Sequence, residues 1–171
     1  MSSLIEWLAQ TRFSLVIQTH AWIVPAIQSL HIVAIGAAVA SVFMIDLRVL
    51  GMAGRDQTLR ETVDRFGPWL SWSLLVLLVT GVLMVIGEPA RELLSFSFWL
   101  KMSLVAIGTV IAAAFQIAVR RNEPHWEASV VKRRATQSLA IVTLLIWAGI
   151  IVLGRLIAYD HIWGAWSGSQ A

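Results

Sequence analysis

VPAIQSLHIVAIGAAVASVFMI, residues 24–45, contains no Asp, Glu, Lys or Arg and is built almost wholly from apolar and small residues. A run of this length matches the roughly 20 residues that a helix needs to cross the hydrocarbon core of a bilayer. Three further runs of the same kind follow, at about 68–87, 98–119 and 137–158. None alternates apolar with polar residues, as the strands of a membrane barrel would. Only a helix satisfies its backbone polar groups within one segment, so all four runs read as helices. The expected fold is therefore an all-α integral membrane protein, a four-transmembrane-helix bundle spanning 1–171 as a single membrane domain.

The composition agrees. Of 171 residues, 58% are hydrophobic and 13% charged, and the mean hydropathy is +0.76. Soluble domains carry about 25% charged residues, so this chain cannot coat a large water-facing surface and must use membrane lipid as solvent for much of its length. There is no cysteine, which excludes disulfides, thiolate metal sites, cysteine-held iron–sulfur clusters and covalent c-type haem attachment. The net charge is +3 and the pI about 10.2. Nucleic acid is not the expected partner, because the positions of the charges account for them.

Nine of the thirteen Lys and Arg residues lie in two connections. Arg48, Arg55, Arg60 and Arg65 follow the first span, and Arg120, Arg121, Lys132, Arg133 and Arg134 join the third to the fourth. The positive-inside rule then places both termini outside the cytoplasm, N-out and C-out, in a bacterial inner membrane. Tryptophans mark the two interfaces, with Trp7, Trp22, Trp99, Trp163 and Trp166 at the outer one and Trp69, Trp72 and Trp126 at the inner one; Trp147 alone is mid-span. Residues 3–17 are expected to form an amphipathic helix along the outer surface, with Leu4, Trp7, Leu8 and Leu15 on its apolar side. Pro25 suits the first turn of span 1. Leu59, Val63 and Phe66 suggest a short surface helix within 51–66. Asp46 and Arg48 are expected to cap and anchor the inner end of span 1.

The ionisable residue inside the first span is His31, with Gln28 one turn earlier. Such a residue is a functional candidate by default, and neutral imidazole is a common ligand of haem iron and copper. The alternative is a buried histidine hydrogen-bonded to Gln28 or a backbone carbonyl. Other polar groups fall toward the same outer leaflet: His20, Asp160 and His161, Arg155, Lys101, Met84 and Met102, Glu88 and Glu92. His20 precedes His31 by three helical turns, about 16 Å, with Pro25 between them; a His20–His161 pair is the other arrangement open to it. His125 reads as solvated. Arg155 and Lys101 need an anion or a route to water, which haem propionates, a quinone carbonyl, Glu88 or Asp160 would supply. Met84 and Met102 are soft-ligand candidates, although isolated methionines usually just pack. No hydrolytic constellation, phosphate loop or helical H-E-x-x-H is present.

The stretches PAIQSLHIVAIG (25–36), MIDLRVLGM (44–52), FWLKM (98–102) and LGRLIAY (153–159) resemble a family of small bacterial four-span membrane proteins of unknown function, over about residues 20–160. That resemblance implies a four-helix bundle and no established activity. The chain is more distantly similar to copper-resistance D-type membrane proteins, which carry a span-1 histidine before a glycine. It is also distantly similar to small bacterial di-haem cytochromes b, some of which are superoxide oxidases and whose haems use histidine pairs on different helices. Here spans 2 and 3 contain no histidine, so at most one bis-histidine haem is implied, or one haem with a different second ligand. The leading expectation is a membrane b-type haem protein in electron transfer, a candidate oxidoreductase. His31 is its axial ligand, His20 or His161 offers a second, and Arg155 and Lys101 stand near propionates, with a quinone or periplasmic electron carrier as partner. The alternatives are copper binding or transport through His31, His20, His161, Met84 and Met102, and a cofactor-free accessory subunit that forms homo-oligomers.

Overall fold

The computed structural model describes residues 2–127 and 130–157. Within them the chain forms seven helices: α1 (Ser2–Ala9), α2 (Arg12–Thr19), α3 (Ile23–Leu50), α4 (Leu59–Gly87), α5 (Pro89–Leu93), α6 (Phe96–Glu127) and α7 (Val130–Leu156). Four of them, α3, α4, α6 and α7, are long and apolar enough to cross a membrane. The protein is a multi-pass membrane helical bundle. The helices α3 and α4 form one tightly packed antiparallel pair and α6 and α7 another; α7 closes onto α3, and the α4–α6 seam is the most lightly packed of the four.

The junction of α3 and α4 is set by local causes. The apolar run of span 1 continues as helix to Leu50, giving a rod of about 42 Å at 1.5 Å per residue. It stops at Gly51, which adopts the left-handed conformation at φ 72° that glycine reaches without steric cost. The Met52 N–H then bonds the Leu47 carbonyl at 2.9 Å, which ties off one of the helix's terminal carbonyls. Thr58 opens α4 with a capping box: its hydroxyl accepts from the Glu61 N–H, and the Glu61 carboxylate accepts from the Thr58 N–H, satisfying two orphan donors at once. Pro25 lies in the first turn of α3, as expected.

Two expectations are corrected. The segment 51–66 holds no separate surface helix; α4 runs unbroken from Leu59 through Pro68 to Gly87. Its first turns are held in helix because Leu59 and Val63 are buried in a cluster with Ile45 of α3 and Val119 of α6. The amphipathic segment 3–17 is two helices, because Thr11 accepts the Ser14 N–H and restarts the chain as α2. Leu4, Trp7 and Leu15 are exposed, while Ile5, Ser14 and Ile17 are buried. Ser14 donates to the Ile86 carbonyl at 2.6 Å, and Ile17 packs against Gly87. The segment thus docks on the end of α4 through a polar anchor that a hydrophobicity pattern does not reveal.

The middle of the bundle is apolar. Ala38, Val42, Leu70, Trp147 and Ile150 form its buried core. Ala34, Ala38 and Ser41 are all buried on α3, and small residues there let backbones approach closely, which is how helices associate in lipid. The exterior carries Ile32, Val33, Leu78, Val110, Leu145 and Val152, as a lipid-facing surface should.

Candidate functional site

His31 is half-buried on α3, turned toward α4. Its Nδ1 lies 2.7 Å from the Thr80 hydroxyl oxygen. That hydroxyl has a single hydrogen, which it donates to the Val76 carbonyl at 2.6 Å. With that hydrogen on the carbonyl, the His31–Thr80 contact is made by the ring donating from Nδ1, the tautomer that keeps a lone pair on Nε2; with the hydroxyl turned to the ring, Nδ1 accepts instead. No described residue bonds Nε2. The ring edge passes over Gly81, where a Cβ would stand 3.8 Å from Cε1. The partner is thus Thr80, one helix away, and neither Gln28 nor a backbone carbonyl.

Lys101 comes to the same half of the bundle from α6. It is half-buried, with its Nζ 5.4 Å from the centroid of the Phe98 ring and its stem against Gly154 of α7. Glu92, in the first turn of α5, is buried. Glu88, proposed above as an anion for the lysine, pairs with Arg91 instead. His31 of α3 and Lys101 of α6 thus lie in the same half of the bundle, with the buried Glu92 in the hairpin that closes that end.

The remaining expected site residues do not join them. His20 is the C-cap of α2 and is exposed, with its Nδ1 2.9 Å from the Val16 carbonyl. It belongs to a different helix from His31, so the shared-face spacing across Pro25 does not apply. Met84 is half-buried beside a recess of about 10 Å³ lined also by Ile17, Gln28 and Glu88. Met102 is 40% exposed and faces outward. Arg155 is exposed at the end of α7 and makes contacts of its own. His161 and Asp160 lie outside the described residues, as do Tyr159, Trp163 and Trp166. Among the described residues no three His, Asp or Glu side chains are placed to hold a metal ion together.

Sequence reading gave Thr80 no role, placed Glu92 only among the polar groups of the outer leaflet, and misassigned Asp46, which lies away from this site. Thr80 is one of several hydroxyl residues in the spans and nothing in its neighbours sets it apart. Glu92 sits in a short polar hairpin where burial is not expected. Asp46 does not cap the inner end of α3: it is 6% exposed and turns into the bundle toward Thr143 of α7. The signal available for it was its own charge so close to an apolar run.

Residues 4–160 match a family described only as a family of unknown function, DUF6644, and the chain belongs to that family. No curated protein and no solved structure matches it.

Proposed function

We propose that this member of a family without assigned activity is a membrane b-type haem protein in electron transfer, with His31 as the axial ligand through Nε2. The observation that carries the reading is the His31–Thr80–Val76 relay. Metal-bound histidines characteristically donate their other ring N–H to a fixed acceptor, which sets the tautomer and aims the coordinating nitrogen. Here Thr80 is that acceptor. What supports the reading is an imidazole on α3 inside the bundle and, in the same half, Lys101 as a cation that could offset a propionate.

When bound, a haem supplies a one-electron couple whose potential follows its axial ligands and the polarity around it. The chain's own part is to hold the His31 ring in one tautomer, to keep water from it with the apolar faces of α3 and α4, and to offset anionic charge with Lys101. His161 is the candidate for a second imidazole. The reading places the haem on the outer side of a bacterial inner membrane, with both termini out, and serves a quinone or a periplasmic carrier. Copper binding has less behind it, since His20 and Met102 both face outward.

The test is a visible spectrum of the detergent-solubilised protein with elemental analysis of the same sample. A Soret band in the wild type that is largely lost in His31→Ala is expected. A full haem complement in His31→Ala would refute the ligand assignment. Copper without a Soret band would favour the copper reading, and a colourless, metal-free protein would favour an accessory subunit.

A further inference from the structure

Far from His31, past the apolar core, α3 buries a carboxylate. Asp46 is 6% exposed, and its one hydrogen-bond partner among the described residues is the Thr143 hydroxyl, 2.8 Å from Oδ2. That hydroxyl also lies 2.9 Å from the Ala140 carbonyl and 3.2 Å from the Leu139 carbonyl. One hydrogen is thus shared among three acceptors. A carboxylate offers about four acceptor sites, and a bare one inside a membrane bundle with a third share of one neutral donor is poorly satisfied.

Moving one proton resolves the count. With Asp46 protonated, its O–H donates to the Thr143 oxygen, and the Thr143 O–H is free to donate to the Ala140 carbonyl. Every hydrogen then has an acceptor. The carboxyl also borders a cavity of about 30 Å³, shared with Gln116, Thr136 and Trp147. A space of that size holds a water when polar groups line it. Trp147, 4% exposed, keeps its Nε1–H without a partner, an orphan donor of the kind that ordered water commonly satisfies.

Among the described side chains, the charged groups at this end have other partners or lie exposed. On α3, the Arg48 Nε donates to the Gln57 carbonyl. On α4, Arg60 pairs with Asp64 and Arg65 lies over Phe66. On α6, Arg120 pairs with Asp64 as well. Arg121 of α6 and Arg134 of α7 are exposed. None of them bonds Asp46.

We propose that Asp46 is a proton-carrying site of the bundle, a neutral carboxyl at rest that exchanges its proton with the arginine-bearing side of the membrane through water in the adjoining cavity. The site stands on residues separate from those around His31 and does not depend on a haem.

Infrared difference spectroscopy of the full chain in proteoliposomes tests it, with aspartate labelled by carbon-13 at the side-chain carboxyl. A protonated-carboxyl carbonyl band that carries the label, shifts in D2O, and disappears reversibly on alkaline titration is expected. It should be absent in Asp46→Asn and displaced in frequency, with the band retained, in Thr143→Val. The isotope shift identifies an aspartic carboxyl in the wild type even if a variant fails to fold. Labelled carboxylate bands alone, at every pH at which the protein stays folded, would overturn the proposal. Loss of the protonated band on exchanging choline for sodium at fixed pH would also overturn it, in favour of a cation site.

Discussion

Replacing Thr80 by valine tests the physical basis of the functional reading without requiring any cofactor. The change keeps the shape of the side chain and removes the hydroxyl that receives the His31 Nδ1–H across 2.7 Å. Two magnitudes bear on it. Interhelical hydrogen bonds within membranes contribute about 0.6 kcal/mol on average and about 1.7 at most, whereas orphaning a buried donor costs about 1–3 kcal/mol. His31 is only half-buried and its ring can turn toward the surface, so the expected loss lies at about 1–2 kcal/mol, measured by reversible unfolding in mixed micelles. The sharper effect is on the tautomer. Nitrogen-15 spectra of histidine-labelled protein, taken where the ring is neutral, should show His31 protonated at Nδ1 in the wild type. Thr80→Ser should keep that single population, and Thr80→Val should give a mixture. A wild-type ring protonated at Nε2, or a Thr80→Val spectrum identical to wild type, would refute the relay and with it the open coordinating nitrogen.

Two glycines should respond in opposite ways to alanine. At Gly87 the new Cβ would stand 2.8 Å from Ile17 Cγ2, an atom held close to the backbone by β-branching, so α2 must shift; hydrogen exchange of the α2 amides should rise several-fold. At Gly36 no atom lies within 4 Å of the added carbon, and the alanine should stabilise α3 by about 0.5–1 kcal/mol through helix propensity; equal exchange rates in the two variants would contradict this account. Leu70→Ala empties a position 1% exposed beside Trp147 and should cost about 2–3 kcal/mol in micellar unfolding, toward the low end for such truncations because lipid solvates apolar surface as well as the bundle does. A loss below about 0.5 kcal/mol would mean that the core is not packed as described.

The four spans were legible because a bilayer imposes a length and a polarity on any segment that crosses it, and 24–45 meets both without help from its neighbours. The same logic does not reach helix ends. Span 1 extends to Leu50 and span 2 begins at Leu59, outside their apolar runs, because Gly51, the Thr58 capping box and the buried side chains of Leu59 and Val63 decide those limits. The N-terminal segment shows the same gap. Its periodicity gave an apolar side of Leu4, Trp7 and Leu15, which turns away from the bundle, but not the attachment to α4 through Ser14 and Ile17.

His31 was singled out by the sequence alone, since an imidazole amid apolar residues is conspicuous whatever surrounds it. So were the number of spans, the lipid solvent and the uneven placement of arginine. Which atom of that imidazole is free, and what stands beside it, is a matter of 49 residues of separation to Thr80 and of Lys101 arriving from a third helix. Asp46 meeting Thr143 across 97 residues is of the same kind. Hydrogen bonds act over about 3 Å, and only the folded bundle brings groups so distant along the chain within that reach.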